Sequence, residues 1–536
     1  MFRHAMNIRI IKTLSALLLA LSISWVQADT FADLSAELTT VKLSKTKAVL
    51  EQLTETKDPR LLVMFEAMVE GNLYYQESTS ELLVTESIKG VDQYRRLSSG
   101  ELIDLSKDET AKVKVNNALR IYLRAEIARI QLTSEDADER KEAVEALYKK
   151  MDKSTVATVA ELRASETDAG VRSAMDILMA MDMAKNGVDL SQRIEAVQFL
   201  TSSLEPPVRN LLIELADQVE EPKLAIEAGV ALNVIEGKIS FFNKVDTIFF
   251  GLSLGSVLLL ASIGLAITFG VMGVINMAHG EMIMLGAYTT YVVQLLMPNY
   301  IDASIWVAIP AAFLVSGLMG VLIERSVIQF LHGRPLETLL ATFGISLILQ
   351  QLVRTVFSPL NRQVDTPSWM SGSIELNPVL FVTLNRFYIF IFALTVFAAL
   401  VLILNKTSLG LNVRAVSQNR NMAKAMGIKT AKVDAMTFGL GSGIAGIAGV
   451  ALSQLTNVGP NLGQGYIIDS FMVVVFGGVG NLFGTLVAAF TLGIANKVFE
   501  PITGAVLASI LVLVFIILFI QKRPKGLFPQ KGRAAE

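Results

Sequence analysis

Polar chemistry is sparse in the second half of this chain, and two glycine-rich strings inside long apolar runs carry most of it. Gly270-Val-Met-Gly-Val-Ile-Asn276-Met-Ala-His279-Gly280 runs straight into Glu281, and Gly477-Gly-Val-Gly-Asn481-Leu-Phe-Gly484 lies far downstream. They share a Gly-Val-x-Asn core, Gly273 to Asn276 and Gly478 to Asn481. An amide, an imidazole and a carboxylate so close together suit metal binding, proton transfer or hydrogen-bond exchange with a passing solute. A metal would need further ligands, and the chain has no cysteine and only three histidines, His4, His279 and His332. No metal and no cofactor are therefore expected. No apolar run carries a Ser/His, paired-Asp or His-x-x-x-His arrangement, so an intramembrane enzyme is not expected either. Hydrogen-bond exchange remains, because paired Gly-interrupted apolar segments mark broken helices around a transport pathway. Close helix packing through small residues is the competing explanation. A third string, Asn457-Val-Gly-Pro-Asn461-Leu-Gly-Gln464-Gly-Tyr466-Ile-Ile-Asp469, adds amide, hydroxyl and carboxyl groups. The expectation is that the two breaks face one another across a narrow route. Asn276, His279, Glu281 and Asn481 would stand beside it, with Tyr466 and Asp469 at its outer mouth.

The elements that hold these groups are membrane helices. Eight stretches C-terminal to Asp246 run 16 to 34 residues without Asp, Glu, Lys or Arg: 247–280, 282–301, 303–323, 338–353, 387–405, 435–468, 470–496 and 501–521. A helix crosses the hydrocarbon with roughly 20 apolar residues, and lipid admits only structures that satisfy their own backbone. Residues 246–536 therefore read as a polytopic helical membrane domain. Residues 29–245 hold 38 acidic and 27 basic side chains, against 11 and 17 in residues 246–536. Neither half is basic in a pattern that suggests nucleic acid. Residues 1–28 read as a secretory signal peptide, with Arg3, Arg9 and Lys12 before the apolar Leu14–Val26 and Val26-Gln27-Ala28 as the cleavage site; an uncleaved anchor is the alternative. Either sends residues 29–245 across the membrane, into the periplasm of a bacterium.

That exported segment reads as helical, so the whole chain is expected to be all-α. Glu142-Ala-Val-Glu-Ala-Leu147 returns as Glu195-Ala-Val-Gln-Phe-Leu200, and Ala48-Val-Leu-Glu-Gln-Leu53 is related to both. Repeated helix pairs suggest a short α-solenoid, with an irregular helical bundle as the alternative. Loop charge sets orientation. Lys406, Arg414, Arg420, Lys424, Lys429 and Lys432 with no acid between them, and the tail with Lys522, Arg523, Lys525, Lys531 and Arg533, belong in the cytoplasm. Crossings near 247–270, 281–297, 304–323, 337–356 and 387–404 agree, and residues 466–499 form either two short spans or a re-entrant hairpin. The total is seven or nine.

Asn412-Val-Arg-Ala-Val-Ser-Gln-Asn-Arg-Asn-Met-Ala-Lys-Ala-Met-Gly427-Ile428 is an amphipathic stretch ending at a glycine stop. It resembles the coupling loop of ABC importer permeases. Gly273 to Glu281, Leu285-Gly-Ala-Tyr288, Arg334-Pro-Leu336, Ala341-Thr-Phe-Gly-Ile-Ser-Leu-Ile-Leu-Gln350 and Arg523-Pro-Lys-Gly-Leu-Phe528 are similar to the branched-chain amino-acid permease family. Asn457 to Phe471 and the long exported domain are similar to its urea-transporting branch; Asp58-Pro-Arg-Leu61 and Leu73-Tyr74 carry that likeness within the exported domain. The resemblance implies the permease subunit of an ATP-driven importer, working in the bacterial inner membrane. Its implied partners are cytoplasmic ATP-binding subunits, a second homologous permease and a periplasmic substrate-binding protein. It also implies that Arg414, Arg420, Ala423, Lys424, Ala425 and Gly427 contact the ATPase.

The residues agree on the division of labour. No Gly-x-x-x-x-Gly-Lys-Ser/Thr loop is present; Gly427-Ile-Lys-Thr lacks the phosphate cradle. Hydrolysis must come from another subunit. A zwitterionic amino acid would call for a cation or helix N-terminus, yet Arg354 and Lys497 sit only toward span ends. Urea, neutral and rich in N–H, needs amide, hydroxyl and backbone partners, and Asn457, Asn461, Gln464, Tyr466 and Asp469 offer them. Branched-chain amino acids or short amides are the alternative cargoes. A membrane sensor with a periplasmic ligand-binding domain is a remoter reading, for only a short basic tail follows Ile520.

Overall fold

The computed structural model describes residues 30–529 apart from residues 44, 89–90, 104, 106–108 and 150. The signal sequence expected over 1–28, with Lys531 and Arg533, lies outside the described residues. The chain forms two compact units that meet between Glu236 and Gly237.

The first unit opens with helices α1 (Thr30–Thr40), α2 (Thr46–Glu55) and α3 (Arg60–Glu70). Strands β1 (Leu73–Gln76), β2 (Leu82–Ile88), β3 (Val91–Arg96), β4 (Leu102–Ile103) and β5 (Thr110–Lys112) follow, forming an antiparallel sheet in the order β4-β3-β2-β1-β5. This corrects the all-α expectation. Strands of 2 to 7 residues show too little alternation to stand out beside long helical periods. Their turns carry the signal instead. Ser80 (φ 58) and Gly100 (φ 71) each close a four-residue hairpin loop in the left-handed region. In both, the amide of the left-handed residue bonds back to the loop's start: Ser80 to Gln76 and Gly100 to Arg96. Glu77-Ser-Thr-Ser80 and Leu97-Ser-Ser-Gly100 are thus two copies of one turn. Leu73 and Leu82 bury against Phe65, Met68 and Leu123.

Helices α4 (Asn117–Gln131), α5 (Ala137–Leu147), α6 (Lys153–Arg163), α7 (Ala169–Asn186), α8 (Leu190–Leu200) and α9 (Pro206–Ala216) complete the unit. The repeated string falls on α5 and α8, and the likeness extends to side-chain roles. Asp136 and Asp189 cap the two helices, each accepting a backbone N–H. Arg140 pairs with Glu166 and Arg193 with Glu221. Val144 with Leu147, and Val197 with Leu200, fill the interior.

The unit boundary lies within α10 (Pro222–Met272), 51 residues long. The second unit continues with α11 (His279–Leu296), α12 (Ile301–Ser326) and α13 (Pro335–Phe357), then the hairpin β6 (Ser373–Asn377) and β7 (Leu380–Thr383). Helices α14 (Leu384–Lys406), α15 (Ser408–Gln418), α16 (Arg420–Ala425), α17 (Thr430–Ser453), α18 (Gln464–Gly477), α19 (Leu482–Thr503) and α20 (Ala505–Lys522) follow. Among the described residues seven helices are long and apolar enough to cross a membrane: α10, α12, α13, α14, α17, α19 and α20. The expected crossing near 281–297 is α11, an 18-residue helix outside that group. Residues 466–499 resolve into α18 and most of α19. With 14 residues α18 rises about 21 Å, short of a hydrocarbon layer of about 30 Å.

At the centre of the second unit stands α17, buried along nearly its whole length and packed chiefly on α12 and α11. Glycine makes this possible. A Cβ on Gly286 would overlap the Gly446 carbonyl, one on Gly449 the Ile283 carbonyl, and one on Gly264 the Gly441 carbonyl. Backbones in contact maximise dispersion where lipid supplies no hydrophobic drive between helices. Gly286→Ala should therefore lower the thermal stability of the detergent-solubilised protein by several degrees. Gly229→Ala is the control: its Cβ would enter open space on α10, so the same measurement should show no loss, or a gain worth about 0.4–1 kcal/mol.

Candidate functional site

Each Gly-Val-x-Asn core ends one stretch and restarts a helix. Gly273 (φ 66) closes α10, and Asn276 Oδ1 then accepts the Ala278 N–H at the start of α11 (3.0 Å). Gly478 (φ 104) and Gly480 (φ 80) follow α18, and Asn481 Oδ1 accepts the Gly484 N–H in the first turn of α19 (3.0 Å). Such φ values exclude most side chains, and an Asn side chain mimics the next backbone turn. The two breaks touch, since a Cβ on Gly270 would lie 2.5 Å from Gly480 Cα. Each asparagine therefore serves its own chain turn. Asn481 also donates through Nδ2 to the Phe528 carbonyl (3.1 Å).

His279 is fully buried, with Nε2 against the Ala261 carbonyl of α10 at 2.8 Å. Glu281, in the same first turn of α11, is the focus of a buried polar cluster. Its Oε1 accepts from Ser346 Oγ (2.9 Å), Gln350 Nε2 (2.8 Å) and Gln464 Nε2 (3.0 Å), and Gln464 also donates to Ser346 Oγ (2.9 Å). Glu281 is 0 % exposed, and its Oε2 has no partner. The sequence pointed to Glu281 and Gln464 but missed Ser346 and Gln350. The missed signal is periodic. Thr338, Thr342, Ser346, Gln350 and Arg354 recur every four residues along α13, each neighbouring the next one turn on, in a row that winds slowly around the helix. The first four are buried. Thr342 Oγ1 accepts the Met277 N–H of the first break (3.1 Å), so the stripe runs from that break, past Glu281, to Arg354.

At Arg354 the stripe opens into a cavity of about 510 Å³. Asn457, Asn461 and Tyr466 line it together with Arg354 and Asn361, and Arg354 donates to Asn461 Oδ1 (2.7 Å). Three of the expected residues thus meet in one place, beside a guanidinium that the sequence had set aside as terminal to its span. Asp469 is elsewhere. It faces a separate small cleft with Asn496 and Ser509, although three residues along α18 bring it round to nearly the same side as Tyr466.

The expected coupling stretch is two helices, not one. Asn419 breaks it with an extended backbone (φ −151) and caps α16 by accepting the Met422 N–H (2.9 Å). Gly427 (φ 87) ends α16 as expected, with Ile428 N–H bonded back to the Ala423 carbonyl. Arg414 and Asn481 line a second cavity, of about 820 Å³. Lys424 and Ala425 are exposed and Ala423 is buried. Arg420 turns inward and forms an ion pair with Asp434 at the start of α17, a carboxylate 2 % exposed. Behind this region the segment after α20 straps the second break: Leu527 and Phe528 donate their amides to the carbonyls of Phe476 and Gly477.

The family described as "Branched-chain amino acid transport system / permease component" matches residues 247–520. The high-affinity branched-chain amino acid transport system permease protein LivH of Escherichia coli (strain K12) is 29% identical over 299 residues, 54% of this chain and 96% of the relative. The corresponding permease protein BraD of Pseudomonas aeruginosa is 27% identical over 286 residues, 52% of this chain and 93% of the relative. More distant is the ribose import permease protein RbsC of Escherichia coli (strain K12), 26% identical over 200 residues, 35% of this chain and 51% of that protein. No solved structure matches the chain.

Removing one partner of a buried ion pair strands the other charge. Arg420→Ala should therefore destabilise the protein by about 3–5 kcal/mol through Asp434, whereas Asp434→Asn combined with Arg420→Gln should recover much of that loss. Thermal melting of the three variants in one detergent checks this.

Proposed function

This chain belongs to the branched-chain amino acid transport system permease family, and on that premise we propose that it passes urea along the polar stripe of α13 as the permease subunit of an ATP-driven importer. The observation that carries the reading is the stripe itself. Four buried hydroxyl and amide side chains at intervals of four residues, ending at Arg354 and an amide-lined cavity, supply successive hydrogen-bond partners inside an apolar helix. Polar groups at membrane depth are costly and mark substrate pathways. A neutral solute crosses by exchanging hydrogen bonds worth roughly 0.5–1.5 kcal/mol net each, weak enough for release. Asn457, Asn461 and Tyr466 form the mouth in this reading, and Asn276, His279 and Asn481 hold the breaks that shape the route.

Branched-chain amino acids are the second cargo, favoured by a particular residue. Arg354 supplies the cation that a carboxylate wants, where the sequence alone offered only a span-end arginine. LivH and BraD bear that cargo in their names, and RbsC bears a neutral one, ribose. In the proposed assembly the first unit lies in the periplasm as a docking surface for a substrate-binding protein. A second homologous permease completes the route, and cytoplasmic ATP-binding subunits dock on α16. The C-terminus is cytoplasmic.

Two measurements test this. Vesicles holding the whole complex should take up labelled urea in an ATP-dependent way; leucine uptake without urea uptake would replace the cargo. For coupling, the informative positions are the exposed ones on α16, Met422, Lys424 and Met426. Arg420 is tied to Asp434, and Gly427→Pro would break a left-handed turn before it tested docking. Met422→Asp with Lys424→Glu should cut uptake at least tenfold at unchanged membrane abundance. Normal uptake by that variant would remove α16 from the coupling role.

A further inference from the structure

We propose that Glu281 Oε2 is the cargo's N–H acceptor within the membrane, and that Arg354 is the donor meeting the cargo's oxygen. The inference rests on the transport reading above and names the two residues that set cargo class.

Three features of Glu281 carry it. All three donors around the carboxylate, from Ser346, Gln350 and Gln464, converge on Oε1. They fix the carboxyl plane and leave Oε2 as a fully buried acceptor with nothing to accept. Buried acceptors are normally paired, and at membrane depth one without a protein partner points to water or a ligand. The three donors are also neutral, so they orient the carboxylate without cancelling its charge. Tyr288, two turns along α11, keeps a second buried hydroxyl without a partner. Residues seven apart share a helical face, so Tyr288 and Glu281 lie on the same side of α11.

Arg354 supplies the opposite end. It follows Gln350 by one turn on the same stripe, about 6 Å along the helix axis. One of its guanidinium N–H groups donates to Asn461 Oδ1 and the side chain lines the cavity. A guanidinium carries five donors and no acceptor. Glu281 on α11 therefore offers an acceptor beside the stripe and Arg354 a donor at its end, a polarity that fits a small molecule with N–H groups at one end and a carbonyl or carboxylate oxygen at the other. Urea and a zwitterionic amino acid share that chemistry. They differ in whether the oxygen end is charged, which makes Arg354 the residue that separates them.

The test uses the complete importer in proteoliposomes, with labelled urea and labelled leucine as separate cargoes and ATP hydrolysis measured alongside. In Glu281→Gln the three donors hold the amide oxygen at the Oε1 position, which places an NH₂ where the acceptor had been. Uptake per ATP should fall about tenfold or more, while hydrolysis stimulated by loaded binding protein stays within about twofold. A merely structural role would lower both together and overturn the proposal. Glu281→Asp keeps the charge but draws it back by one methylene, so its uptake per ATP should be intermediate. Should the Gln variant fail to accumulate, the Asp variant decides: wild-type uptake per ATP overturns the proposal and a reduced value supports it. Arg354→Gln should lower leucine uptake about tenfold, with Arg354→Lys restoring part, and leave urea uptake within about twofold. If the wild type carries neither cargo, the transport reading fails and this inference with it. If the wild type carries one and both Glu281 variants carry it equally well per ATP, the reading stands and the inference alone falls.

Discussion

Gly286 on α11 lies against Gly446 on α17, and Gly449 answers with a contact on Ile283 one turn away. No side chain stands between the two backbones at either point. In lipid, where no hydrophobic drive acts between helices, such close backbone approach maximises their van der Waals packing. The rest of the second unit inherits its geometry from that seam. It fixes the height and rotation of α11, and through them where Glu281, five residues before Gly286, meets α13 and α18. A methyl group at the seam would push Glu281 away from Ser346 and Gln350, so packing and polar chemistry share one tolerance.

The two glycine breaks divide this labour differently. The left-handed glycines end one helix segment, and the asparagines set the next on a new axis. The result is a pair of elements, the 18-residue α11 and the 14-residue α18, whose starts approach one another. Gly280 and Gly463 touch at the start of those elements, which is why Gln464 reaches Glu281 across 183 residues of sequence. Polar groups at the breaks then serve the backbone, and polar groups beside them are left for a solute.

Much of this was legible in advance, and what was not has a common cause. Long uncharged runs announced the membrane helices, because bilayer thickness is a hard constraint on length. Asn457, Asn461 and Tyr466 were found through their clustering in one loop and do share a cavity. Ser346 and Gln350 were passed over because the spans were marked by the absence of formal charge, a criterion blind to hydroxyls and amides; only their interval of four gives them away. Asp469 was grouped with Tyr466 at one mouth, yet it faces a different cleft, with Asn496 and Ser509. The five-stranded sheet escaped notice because its strands are shorter than a helical period needs to fade. Its serine-rich hairpin turns, repeated at Glu77–Ser80 and Leu97–Gly100, carried the information that alternation could not.

The strap that follows α20 has a consequence for biosynthesis. The last carbonyls of α18, at Phe476 and Gly477, find their partners in the amides of Leu527 and Phe528, and residues 478–526 must leave the ribosome first. Until then the last carbonyls of α18 lack those partners. An unfinished chain therefore carries a polar scar that a finished one hides.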